Sequence, residues 1–252
     1  MELNIINMLR TLSGLLLLVA TQAQADGWQA SLGAGAAYVP RYEGSANSIL
    51  RAAPLLDASY SNGKFFVSVT RGIGYNFSDS KYFQYGVRLG IGNARSESDD
   101  ARLYGMGNLK YIAEGGVFAR TFLGPISLFS NVLGGDYGAH GDVGLSVGIP
   151  LGKENRLRLS AIQNWGDTRY MQTYFGVTAA QALASGGVLT AYDATEGTKD
   201  VVMSASWVHN FDKSWFSSVG VTTKRLQNSA LLSPLTQRGV TNSQSILIGY
   251  RF

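Results

Sequence analysis

The chain has 252 residues, a formal net charge of +4, no cysteine, 31 glycines and only 15% charged residues. Glycine is well above its usual ~7% share and charge well below the usual ~25%, so the surface is too poor in charge for an ordinary water-soluble protein. The small, dispersed positive balance does not suggest a nucleic-acid patch, and the missing thiols exclude disulfides, cysteine catalysis and thiolate metal sites.

The N-terminus reads "MELNIINMLRTLSGLLLLVATQAQADGW". Leu12 to Ala20 is a short apolar run behind Arg10, about half the ~20 residues that a transmembrane helix needs. Ala23-Gln24-Ala25 follows as a small-x-small cleavage site, which makes residues 1–25 a predicted secretory signal peptide and residues 26–252 the mature chain.

Beyond it the chain alternates with period 2 in segments of about ten residues, separated by turn residues. The first predicted strand spans Trp28 to Tyr38. The second carries Leu50, Ala52, Pro54, Leu56, Ala58 and Tyr60 on one face and ends at the hairpin signal Asn62-Gly63. "FFVSVTRGIGY" reads as one strand, with Phe65, Val67 and Val69 on one face. Strands follow around Tyr85–Ile91, Leu109–Ala113, Ile126–Val132, Val143–Ile149, Leu157–Ala161, Tyr170–Val177, Val201–Trp207, Trp215–Val221 and the terminal "SQSILIGYRF".

That is twelve strands in an all-β fold, a closed antiparallel transmembrane barrel. Closure is what lets a sheet sit in lipid without unpaired edges. Residues 38–49, 178–199 and 227–243 are expected at the outer end, "SNGK" and "NFDKSW" at the periplasmic end. On this count "NARSESDDARLYGMG" (93–107) falls on the periplasmic side although it is long, so ten strands is the alternative. Ile246, Ile248, Tyr250 and Phe252 share a face, resembling the terminal signal read by the barrel assembly machinery.

The stretch "YVPRYEGS" at residues 38–45 reads as a rim element, with Pro40 ending a ladder. Tyr38 and Tyr42 suit the lipid–water interface, and Gly44-Ser45 suits a turn. Together with the proline-bearing strand behind it, "GAGAAYVPRYEGS" resembles the start of the MltA-interacting protein MipA/OmpV family of outer-membrane proteins. "LYGMGNLKYIAEGGVF", "YMQTYFGVTAAQALASGGVLTAYDATEGTKDV" and the terminal "GYRF" are similar to later blocks of that family, in order. The residues that carry this signature are Pro40, Tyr42, Glu43, Gly44, Ser45, Tyr174, Phe175 and Gly176.

The resemblance implies one of two roles. Members like MipA are taken as structural scaffolds that bring a murein lytic transglycosylase together with a peptidoglycan synthase. Members like OmpV are taken as narrow porins for small solutes. Implied partners are outer-membrane lipid, the assembly machinery through Phe252, and those two periplasmic enzymes; no nucleic acid is expected.

Catalytic groups are scarce. There are two histidines and no G-x-S-x-G elbow. His209 falls beside Trp207 and Phe211 in an interfacial register; His140 lies near Asp136 and Asp142 in a glycine-rich connection. The expectation is a non-enzyme without cofactor or metal. The inward register carries Arg88, Lys110, Glu114, Arg156, Arg158, Lys224 and Arg251, a charged row that can line a narrow lumen or cross-link and plug it. Residues 93–107 and 134–142 are the expected periplasmic contact surfaces.

Overall fold

The computed structural model describes residues 27–61 and 63–252; the predicted signal segment lies outside them. One sheet is built from β1 (Trp28–Pro40), β2 (Ser48–Ala52), β3 (Leu55–Tyr60), β4 (Phe65–Ser68), β5 (Gly72–Asn76), β6 (Phe83–Gly92) and β7 (Ile112–Leu123). It continues through β8 (Ile126–Gly135), β9 (Gly138–Leu151), β10 (Asn155–Gly166), β11 (Gly197–Asn210), β12 (Trp215–Leu226) and β13 (Val240–Arg251).

β2 and β3 both pair with β1, one above the other, and form a single stave interrupted at Ala53-Pro54. Proline has no N–H to offer the ladder, so the break falls there. All other neighbours pair in sequence order, and β13 closes on β1 from Ser31↔Arg251 to Tyr38↔Gln244. The barrel therefore has twelve staves.

The expected number was reached by two compensating differences. "FFVSVTRGIGY" is not one strand but the short hairpin β4–β5, turned at Val69–Arg71 and entered from Gly72 at φ +76°. The pair Ser68↔Gly72 leaves a three-residue connection, a loop length that calls for glycine in the left-handed region. Conversely, Tyr170–Val177 is not a strand. Thr168–Phe175 is a helix, α1, capped by Asp167 accepting from the Tyr170 N–H at 2.7 Å.

These two changes reverse the course of the chain between them. Residues 93–111 and the β8–β9 turn now lie at the end opposite the chain termini, together with 41–47, 167–196 and 227–239. The terminal end carries only the short connections 61–64, 77–82, 124–125, 152–154 and 211–214. Short turns mark the periplasmic end of such barrels and long loops the outer end. The expected periplasmic contact surfaces 93–107 and 134–142 are thus at the outer end.

The wall turns its apolar side chains outward. Leu89 is 61% exposed and Ile91 75%, with Met203, Ile246 and Ile248 in the same state around the barrel. Water would penalise such a belt at roughly 25 cal/mol per Å², whereas lipid accommodates it. Aromatic rings gather at the terminal end: Trp28–Tyr60 at 5.2 Å, Trp215–Tyr250 at 5.1 Å and Tyr250–Phe252 at 4.9 Å. His209 joins this girdle between Trp207 and Phe211, its Nδ1 2.9 Å from Asn155 Oδ1.

Inside, three phenylalanines lie over glycines directly across the ladder: Phe66 over Gly74, Phe129 over Gly144 and Phe216 over Gly249. A Cβ on Gly144 or Gly249 would come within 2.5 Å of the opposing ring, so only glycine leaves the slot. Each ring also carries an arginine guanidinium on its face: Arg71 at 4.6 Å, Arg120 at 5.9 Å and Arg251 at 4.1 Å.

Candidate functional site

The outer loops fold over the barrel mouth as a roof. In α1, Tyr170, Met171, Tyr174 and Phe175 are buried, a spacing that puts them on one helical face. They pack with Ala194, Leu226 and Ala230 into one apolar core. A second core joins Tyr42, Leu103, Met106, Val177, Leu189 and Leu235. Two more helices complete the roof: α2 (Ala179–Ala184), started by a capping box of Thr178 and Gln181, and α3 (Asn228–Leu232).

The two signature segments meet here. The Tyr42 hydroxyl donates to Leu235 O at 2.8 Å, so Tyr42 is a roof-core residue, 8% exposed, and not the expected lipid-interface side chain. Gly44, at φ +93°, offers its carbonyl to the N–H groups of Gln237 and Arg238. Its missing Cβ leaves room for Thr236, whose Oγ1 would otherwise be 2.9 Å away. Ser45 bonds Asn47 O at 3.0 Å. From the helical segment, the Tyr174 hydroxyl donates to Asn93 O, and Phe175 O accepts from the Ser233 hydroxyl. Gly176 caps α1 by donating to Gln172 O.

Beneath the roof Glu43 accepts from Lys199 Nζ at 2.9 Å and Lys224 Nζ at 2.6 Å. Lys199 also lies 3.2 Å from the fully buried Asp200, which accepts from Asn164 at 2.6 Å. Two acids and two bases thus form a neutral quartet tying the roof to β11 and β12. Burial opposes ionisation of Glu43, but the two ammonium groups overcome it and hold its carboxyl well below the usual range.

A cavity of about 330 Å³ sits where the roof meets the inner wall of β1, β2, β12 and β13. Pro40, Tyr42, Glu43 and Tyr174 all line it, so both signature segments border one space. A more open depression of about 690 Å³ lies at the same rim, lined by Tyr38, Arg41, Asp100 and Arg238 among others.

Of the expected lumen charges, Arg88 donates to Asn131 Oδ1 at 2.8 Å, and Arg251 to Asn210 Oδ1 at 2.7 Å. Glu114 is buried, 3.1 Å from His140 Nε2; His140 therefore pairs with Glu114, not with Asp136 or Asp142. Arg156 and Arg158 share the inward register of Asn164 yet stay exposed, so water reaches that part of the lumen. Lys224 belongs to the quartet. Lys110 is a correction: it lies in the outer connection before β7 and is exposed, because β7 begins at Ile112. Arg71 and Arg120, both over lumen rings, were missed; Arg71 sat in the unrecognised turn, where Asp57 takes its Nη2 at 2.9 Å.

A closed twelve-stave barrel with an apolar belt outside and a charged lumen inside is a bacterial outer-membrane β-barrel protein. The chain belongs to the family described as MltA-interacting protein MipA, whose model matches residues 32–252. A search of curated proteins found no match.

Among solved structures it is similar to Salmonella typhi OmpF in complex with daunomycin, at 13% identity over 84% of this chain and 65% of that one, TM-score 0.38. It is also similar to the anion-selective porin from Comamonas acidovorans, at 9% identity over 89% and 98% of the two chains, TM-score 0.39. Outer-membrane expressed OmpT of Vibrio cholerae gives 8% identity over 89% and 97%, TM-score 0.34. The chain spans 65% of the OmpF chain, and at such scores none of these likenesses bears on function.

Proposed function

We propose that the protein is a non-catalytic scaffold of the outer membrane that brings a murein lytic transglycosylase and a peptidoglycan synthase together at the cell wall. The observation that carries this reading is the roof. Two apolar cores bind the outer loops to one another over the mouth, an arrangement suited to a barrel that anchors and poorly suited to one that conducts. The family description, which names an MltA interaction, supports the partner class.

The contact surface is then the terminal end. Its turns present Lys64, Lys81, Lys153 and Lys213 beside Asp79, Glu154 and Asp212, a mixed-charge rim suited to polar docking. Phe252, against Tyr250 at that end, is the group for the barrel assembly machinery. Because the chain has no cysteine, Lys153→Cys and Ser98→Cys are unique handles at the two ends. After envelope cross-linking, Lys153→Cys is expected to capture the two enzymes and Ser98→Cys neither. Capture of neither by Lys153→Cys contradicts the scaffold.

A second reading, an OmpV-like narrow channel for small solutes, is favoured by the exposed inward Arg156 and Arg158. Stable conductance steps in planar bilayers, weakened by Arg158→Ala, support it; silence removes it.

A further inference from the structure

Three arginines line the 330 Å³ cavity, and none of them pairs with a carboxylate side chain among the described residues. Arg41 donates to Asp99 O at 3.0 Å, Arg51 to Arg41 O at 3.1 Å and Arg95 to Tyr174 O at 2.8 Å, all backbone carbonyls. The fourth cation of the lining, Lys224, and its one acid, Glu43, are already committed to the neutral quartet. No carboxylate of the lining is left for the three guanidinium groups, and Asp99, outside it, is the acid that acts on Arg95.

Arg95 is the sharpest case. It is only 7% exposed, and its Nε is buried with no hydrogen-bond partner among the described residues. A buried charged donor left unmade is costly, on the order of 1–3 kcal/mol or more, and native structures rarely keep one without a use. Arginine does not shed its proton to escape this cost. The guanidinium forks of the three arginines that border the cavity match phosphate and carboxylate geometry.

We propose that this cavity is a binding site for an oxyanion, a phosphate or carboxylate carried on a molecule of monosaccharide size. Arg51 and Arg95 hold the anion, and Arg41 closes the rim. The volume lies at the lower end of the roughly 300–1,000 Å³ usual for small-molecule sites, which sets the size limit. The site is independent of whether the barrel acts as scaffold or channel.

The test is isothermal titration calorimetry on the refolded full barrel in detergent at low salt. The probes are glucose 6-phosphate, glucuronate, inorganic phosphate and glucose. Saturable binding of glucose 6-phosphate or glucuronate, with glucose silent, is expected. Inorganic phosphate competing for the same site identifies the anion as the recognised part. Arg51→Gln and Arg95→Gln should each weaken binding about 10-fold, the loss of one charge-assisted contact. Arg156→Gln, inward-facing but outside the cavity, should leave it unchanged. Should Arg95→Gln fail to fold, Arg51→Gln and Arg41→Gln carry the test. No binding of either acidic sugar, equal binding of glucose, or unaltered affinity in Arg51→Gln overturns the proposal.

Discussion

The two ends of this barrel solve opposite problems. At the terminal end the staves are joined by two- to six-residue turns, and the rings there meet lipid and headgroups. At the outer end the chain spends long connections on a core of its own. Phe175, Leu103, Met171, Leu226, Leu235 and Val177 are the largest fully buried apolar side chains among the described residues, and all lie there. The wall needs no such core, because lipid covers its apolar face and the ladder satisfies its backbone. Irregular loops have no ladder, so they hold together only by burying apolar groups against each other. The roof is a small globular unit resting on a membrane wall, and the two should respond separately to substitution.

The largest separation is expected from Phe175→Ala, which removes a buried ring at a cost of roughly 3–5 kcal/mol. Trypsin should then reach Arg102 and Arg169 in the roof, while unboiled protein still migrates as a folded barrel. Loss of the folded band together with roof protection would mean that wall and roof are one unit.

Glu43→Gln comes next, on the order of 3 kcal/mol, since it leaves two ammonium groups with only Asp200 to share. Glu43 is held below its ordinary value, so its contribution is complete above the usual carboxylate range and fades as pH falls through the lowered value. Roof amide exchange, corrected for intrinsic rate, should therefore accelerate in acid in the wild type. If Glu43→Gln keeps the same acid dependence, another group is responsible.

Gly249→Ala acts on the wall instead. A methyl there meets Phe216, so the barrel should lose about 1–3 kcal/mol in urea unfolding with roof exchange unaltered. The smallest effect is expected from Asp212→Ala in a terminal-end turn. Its carboxylate accepts from Ser214 and Trp215 at 2.7 Å but is fully solvated. Neither urea midpoint nor roof exchange should move measurably.

The wall was legible in the sequence because its burial has one period. Outward Leu89 and Ile91 and inward Arg88 follow strict alternation, and Phe252 closes the last strand. The roof was not, because short apolar runs fit two periods at once. Tyr170 and Tyr174 share a face at spacing 2 and at spacing 3.6; only Met171 and Phe175, together with the Asp167 cap, decide for the helix. The β4–β5 hairpin hid behind the alternating Phe65, Val67 and Val69, and Gly72 was its one signal. The hairpin reversed the placement of 93–107, and the helix restored the expected course beyond it. Glu43 gave no sign of its partners, which lie 156 and 181 residues away.

Planar-bilayer recording of the refolded protein tests the central claim, a lumen roofed at its outer end. The wild type should be silent, and a variant with residues 168–194 replaced by a short glycine-serine link should conduct. Stable conductance steps in the wild type, equal to those of the roofless variant, would contradict the account.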